Sequence, residues 1–228
     1  MNERVIAITG AFGALGTAVA QTLIADGAKL ALIDQANASP GPIKGDPLVL
    51  GGVNLAEPAQ AAKAVEQVVI HYGRLDGLIN IAGTFRWQTL QEGDPSIWDL
   101  LYTVNLKTAV STTKAALPHL LKSRGRIINI AAGVAVAKAG AGFGPYAASK
   151  AGVVKLTESL AEEVKLQGVT VNAILPSIID TPQNRRDMPD ADYTLWVTPQ
   201  NIADTIVFLL SAKACAITGA MIPVTGRV

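Results

Sequence analysis

Short apolar runs alternate along the chain with longer stretches in which apolar residues recur every three or four positions. VIAIT (5–9), KLALI (29–33), PLVL (47–50), LDGLINIA (75–82), RIINIA (126–131), VTVNAIL (169–175) and AMIPV (220–224) predict strands. Most are apolar on both faces, as expected of a parallel sheet covered by helices on both sides. Residues 14–26, 57–72, 96–122, 146–167 and 199–212 predict helices. Strands and helices taking turns specify a doubly wound α/β domain with a parallel sheet of about seven strands. No linker or internal repeat divides the chain, so residues 1–228 form one expected domain. One crossover breaks the pattern. DQANASPGPIKGDP, from Asp34 to Pro47, carries three prolines and two glycines where a helix would normally lie. An irregular loop is expected there.

Composition narrows the function. Half the 228 residues are hydrophobic and 16% are charged, which favours a sizeable core over disorder. The net charge is +1 and no basic block occurs, so nucleic acid and anionic membrane are poor candidates as partners. Cys215 is the only cysteine, which rules out an intrachain disulfide and a cysteine-rich metal site; no metal is expected, and the cytoplasm fits best. The N-terminus lacks the apolar run of a signal peptide, and no stretch is long enough to span a membrane.

The chemistry starts at TGAFGALG, residues 9–16, between the first strand and the first helix. Gly10, Gly13 and Gly16 let the backbone turn tightly and approach a pyrophosphate, while the helix N-terminus offers free N–H groups. Phe12, Ala14 and Leu15 complete the turn. Asp34, at the end of the second strand, is placed to accept hydrogen bonds from both adenosine ribose hydroxyls. Its charge would repel a 2′-phosphate and no Arg or Lys lies in the turn, so NAD(H) is expected over NADP(H), which stays open. Asn54, followed by Leu55 after the third strand, is a candidate for the adenine amine.

The turn, INIAG (79–83), VNL (104–106), YAASK (146–150), NAILP (172–176) and the closing ITGAMIPV together resemble the short-chain dehydrogenase/reductase family over essentially the whole chain. The resemblance implies a Rossmann-type fold and nicotinamide chemistry. It implies that Tyr146 is the general acid or base and that Lys150 binds the nicotinamide ribose and lowers the tyrosine pKa. Asn105 would support a water connecting Lys150 to solvent. Asn80, Ala82 and Gly83 would line the cofactor cleft, and Pro176, Ile178, Ile179 and Thr181 would wrap the nicotinamide end. A tyrosine titrating near ~10 is a reluctant proton shuttle, and a cation at i+4 on the same helix face would favour its phenolate.

Three departures stand out. The family's serine, about thirteen residues before the tyrosine, is missing: Ala132 and Gly133 occupy that place. The glycine spacing is GxxGxxG rather than GxxxGxG, and the crossover after Asp34 lacks its helix pattern. These features, with LPSIIDTPQNRRDMPDADYTLW (175–196), resemble the dihydropteridine reductases within the family. That subgroup uses NADH on a conjugated ring containing C=N, which a tyrosine alone can protonate. VNL and INIAG are closer to the carbonyl-reducing branch, so pterin, imine-like ring and ketone all remain open as the small-molecule substrate. Trp87, Phe143 and Trp196 are candidates for a pocket wall, Ser177 for the missing donor, and Arg185 and Arg186 for a substrate anion. By resemblance, helices 106–122 and 146–167 would pair subunits into a homodimer or homotetramer. The competing expectation is a catalytically weak NAD(H)-binding sensor or regulator.

Overall fold

The computed structural model describes residues 3–228. Seven strands form one sheet, and every paired neighbour runs parallel. They are β1 (Val5–Thr9), β2 (Lys29–Ile33), β3 (Leu48–Leu50), β4 (Gly77–Asn80), β5 (Arg126–Ile130), β6 (Thr170–Pro176) and β7 (Met221–Val224), in the spatial order β3-β2-β1-β4-β5-β6-β7. Strand order reverses between β1 and β4. In open α/β sheets a crevice forms at such a reversal, beyond the carboxyl ends of the strands.

Alternation along the strands explains the layers. Ile6, Ile8, Leu30, Leu32, Ile79 and Ile128 point to one face, against helices α1 (Ala14–Ala25) and α7 (Pro199–Leu210). Val5, Ala7, Ala31, Ile33, Leu78 and Ile127 point to the other, against α2 (Pro58–Tyr72), α4 (Thr108–Ser123) and α5 (Gly144–Val164). Both faces are dry, which is why the strands read as continuous apolar runs instead of alternating ones. Each large apolar side chain taken fully from water contributes about 1.5–3 kcal/mol.

Two parts of the architecture bear on the site. Residues 34–47 contain no helix, as their prolines and glycines foretell. The segment expected as one helix over 96–122 is in fact three pieces: α3 (Ser96–Leu101), a π-helical stretch (Tyr102–Lys107) and α4. Apolar periodicity does not distinguish a π turn from an α turn, so only the structure reveals the break. The short helix α6 (Pro182–Asp187), capped by the Thr181 hydroxyl accepting from Asn184 N–H, was also not foreseen. No helix among the described residues is long and apolar enough to cross a membrane.

Candidate active site

A cleft of about 920 Å³ opens at the reversal between β1 and β4. Its floor is the glycine turn. Gly10 adopts φ +63°, the left-handed region that favours glycine, and a Cβ there would lie 2.8 Å from the Ala82 backbone. Ala82 is held close because the Thr9 hydroxyl accepts from the N–H groups of Ile81 and Ala82 at 3.1 and 3.2 Å. A Cβ on Gly16 would sit 2.3 Å from the Gly10 carbonyl, so that position permits only glycine. Gly13, the residue before α1, differs: its Cβ would meet only the Gly10 carbonyl, at 3.5 Å. The room beside Gly13 belongs to the cleft, where an approaching phosphate would meet the amino end of α1.

Asp34 stands at the end of this floor nearest β2. Its carboxylate accepts from Phe12 N–H at 2.9 Å and from Ala36 N–H at 3.0 Å, tying the turn to the end of β2. Each oxygen keeps acceptor capacity for a ribose hydroxyl. Asn54 and Leu55 line the same end. Lys150 is the only basic residue among those lining the cleft, and it lies at the opposite end, with Tyr146. The cleft residues therefore fit a dinucleotide, and they offer no cation to a 2′-phosphate.

At the other end, Pro145 sits in the first turn of α5, and Tyr146 and Lys150 project from its first turns into the cleft. Lys150 is buried and its Nζ donates to the Ile130 carbonyl at 2.7 Å. Burial pushes that amine down to about 8. Burial also pushes the Tyr146 hydroxyl up to about 12. The lowered tyrosine pKa implied by the family resemblance is thus reversed here. Desolvation sets the direction, and the lysine is turned to a backbone carbonyl.

Asn105 lies in the π-helical stretch and is buried. Its side-chain carbonyl accepts from Thr84 N–H at 2.7 Å. Its amide donates to the Thr84 carbonyl at 3.0 Å and to Ser149 Oγ at 2.9 Å. Ser149 in turn donates to the Tyr146 carbonyl at 2.8 Å. One side chain therefore ties the loop after β4 to the first turn of α5. A Cβ on Gly83 would fall 3.0 Å from Asn105 Oδ1 and 3.3 Å from Lys150 Nζ, so glycine lets these groups converge.

Comparison with known proteins identifies the frame. The short chain dehydrogenase family model matches residues 4–192. The chain is a short-chain dehydrogenase/reductase. It is 32% identical to the 3-oxoacyl-(acyl-carrier-protein) reductase FabG of Thermotoga maritima, over 99% of this chain and 98% of that protein. Among solved structures, a 3-ketoacyl-(acyl-carrier-protein) reductase from Brucella melitensis complexed with NADH superposes with a TM-score of 0.87, at 26% identity, covering 99% of this chain and 98% of the other. Levodione reductase superposes with a TM-score of 0.88, at 27% identity, over 99% and 97%.

Within this short-chain dehydrogenase, most residues expected at the cofactor line the cleft: Gly10, Phe12, Gly13, Ala14, Leu15, Gly16, Asp34, Asn54, Leu55, Ala82, Gly83, Tyr146, Lys150, Ile179 and Thr181. Asn80 does not. It is buried in the sheet, where its amide donates to Asn129 Oδ1 at 2.8 Å and to Thr113 Oγ1 at 3.0 Å, and it braces β4 against β5. Pro176 ends β6 and is buried, and the Ile178 carbonyl accepts from Val197 N–H; neither is among the residues lining the cleft, whereas Ile179 is. Thr84, Leu100, Thr103 and Val104 line the cleft without having been foreseen. The π-helical turn, invisible to periodicity, brings the last two there.

The expected substrate residues are the least well placed. Ser177 donates to the Thr225 carbonyl at 2.6 Å, so its hydroxyl is committed elsewhere and it is not a substitute for the missing serine. Trp196 is 6% exposed and packs on Tyr193, centroids 4.8 Å apart, as part of the core. Arg185 is held by Asp180 at 2.6 and 2.8 Å and stacks over Tyr193, while Arg186 donates to Gln183. Ala132, Gly133, Phe143 and Trp87 lie outside the cleft lining. Ala132 is buried after β5, and a Cβ on Gly133 would meet only the Pro176 carbonyl, at 3.7 Å. Nothing packed around Gly133 forbids a side chain, so the serine is not missing for want of space.

Proposed function

We propose that this short-chain dehydrogenase is an NADH-dependent reductase in which Tyr146 protonates the substrate and Lys150 helps to hold the nicotinamide ribose. The carrying observation is the catalytic end itself: Tyr146, Lys150 and Asn105 are intact and mutually positioned, while Gly133 stands where an oxygen-holding hydroxyl would be. A nicotinamide bound in the cleft supplies the hydride. The protein fixes the dinucleotide through the glycine turn and Asp34, and it holds a proton on the Tyr146 oxygen. A phenol kept near 12 is protonated at any physiological pH, which suits a donor. Losing one oxyanion donor commonly costs about 10²–10³ in rate. A substrate whose electrophile is C=N in a conjugated ring, as in a quinonoid dihydropterin or a cyclic imine, needs no such donor, and this substrate class fits best. The helix-free crossover after Asp34 supports the same branch. The ketoreductase names of the relatives favour a ketone as the second reading. Self-association through residues 106–122 and 146–167 and a cytoplasmic location belong to the same proposal. A non-catalytic sensor would have no use for the preserved proton-donor set.

The test is NADH oxidation at 340 nm with a quinonoid dihydropterin, a cyclic imine, a 1,2-diketone and a simple ketone. Ring C=N substrates should turn over and the ketones should lag. Tyr146→Phe should keep NADH binding and lose about 10²–10⁴ in turnover. Gly133→Ser should raise ketone turnover by about 10² and leave imine turnover within a few-fold. Efficient ketone reduction by the unaltered protein would overturn the C=N assignment, and undiminished turnover in Tyr146→Phe would overturn the role of the tyrosine.

A further inference from the structure

Two loops meet beside Tyr146. One follows β4 and runs through Thr84 to Gln88; the other precedes α5 and ends at Phe143. Gln88 N–H donates to the Gly142 carbonyl at 3.1 Å, and the Trp87 indole N–H donates to the Ala141 carbonyl at 3.0 Å. The indole lies so close over Gly142 that a Cβ there would fall 2.2 Å from it. This fastening brings three rings together. Phe85 stands edge-on to Tyr146, with centroids 5.0 Å apart and planes at 88°, and meets Phe143 at 5.5 Å and 43°. Phe85, like Phe143, lies just outside the cleft lining, against Tyr146 at its edge, and it remains 45% exposed, with Trp87 57% exposed. Aromatic surface left open next to a proton-donating phenol, on loops already fastened to each other, is preorganised binding surface: rings with two rotatable bonds lose little freedom when a ligand arrives.

We propose that Phe85, backed by Phe143, is a specificity wall that seats a planar unsaturated ring against Tyr146, so that ring contact orients the substrate in place of a serine hydroxyl. The proposal rests on the reading of Tyr146 as the proton donor, and it adds the substrate's shape: flat and largely apolar on at least one face. Neither Ala132 nor Gly133 carries a side-chain hydrogen-bond donor, so the wall is what distinguishes a ring from an open chain at this end of the site. Tilted and edge-on ring pairs leave faces free to receive a further ring, and such a contact adds attraction beyond the area it buries. An acyclic carbonyl compound has no matching face. The sequence singled out Trp87; in the structure Trp87 is the fastener and Phe85 the surface.

Two measurements test this. In steady-state kinetics, kcat/KM for 3,4-dihydroisoquinoline relative to 2,3-butanedione should fall about tenfold in Phe85→Ala, mostly through KM, and about threefold in Phe143→Ala. Phe85→Leu keeps apolar bulk without a ring and should resemble Phe85→Ala in this ratio, which separates stacking from simple filling. In titration calorimetry on the NAD⁺-loaded protein, the Kd for isoquinoline should rise about tenfold in Phe85→Ala. If the unaltered protein reduces the imine and the ratio does not move in any of the three variants, the wall is wrong while the reductase reading stands. If no substrate oxidises NADH, the reductase reading falls and the calorimetry still decides. Weaker isoquinoline binding in Phe85→Ala supports the wall, whereas no binding to the unaltered protein, or equal binding to both, overturns it.

Discussion

Tyr146 and Lys150 illustrate how burial moves an acid and a base in opposite directions. Both are desolvated, and desolvation disfavours charge on either, so the phenol rises to about 12 and the amine falls to about 8. The lysine has a consequence for stability. Its folded value lies below the ordinary 10.5, so between roughly 8 and 10.5 the unfolded chain binds more protons at this group. Its contribution is therefore full above 10.5 and is lost as pH falls toward 8. In protein freed of nucleotide, the urea-unfolding free energy of the unaltered chain should rise relative to that of Lys150→Met as pH climbs across that window. A difference that stays constant from pH 8 to 10.5 would show that the amine is not desolvated. At this scale the sequence was informative where partners are near along the chain. A tyrosine and a lysine four apart on a helix are readable from spacing. The commitment of Ser177 to Thr225 and the burial of Trp196 depend on chain folded back from far away, and no local pattern carries them.

Among the elements, the glycine turn shows that three glycines in one motif do different jobs. Gly16 avoids a clash with the Gly10 carbonyl, so Gly16→Ala should lower stability by about 1–3 kcal/mol. Gly13 only keeps space open, so Gly13→Ala should melt at nearly the unaltered temperature yet bind NADH more weakly. Thermal melts paired with NADH fluorescence titrations check both. Loss of stability in Gly13→Ala equal to that in Gly16→Ala would collapse the distinction. The motif itself was legible because a strand, a turn and a helix are contiguous in sequence. The π-helical turn was not. Its residues keep a helical apolar rhythm, and the contact made from it, Asn105 to Thr84, spans 21 positions. The missing helix between β2 and β3 was legible for the opposite reason, since proline and glycine act on their own backbone whatever surrounds them.

For the molecule as a whole, strand identity was readable but strand order was not, because apolar runs record burial and not neighbours. The reversal between β1 and β4 creates the cleft, and the charge distributed along it underlies the proposed preference for NADH. With Asp34 at one end and the single cation at the other, Asp34→Ala should raise NADPH use relative to NADH by about tenfold or more, read as the ratio of kcat/KM values. An unaltered protein that already prefers NADPH would refute that assignment. The same helix-free crossover also leaves β3 thinly held. It has three residues at the sheet edge, none of them fully buried, pairing only with Ala31, Leu32 and Ile33. The Tyr72 hydroxyl adds a link by donating to the Leu30 carbonyl and accepting from Leu48 N–H. In local opening such an edge strand is expected to detach early, while β1, β4 and β5, buried at the centre of the sheet, open only with the larger fold. Amide exchange should therefore be fastest at Leu48–Leu50 among the strands, and the edge can breathe or be recut without disturbing Tyr146 on the far side of the reversal.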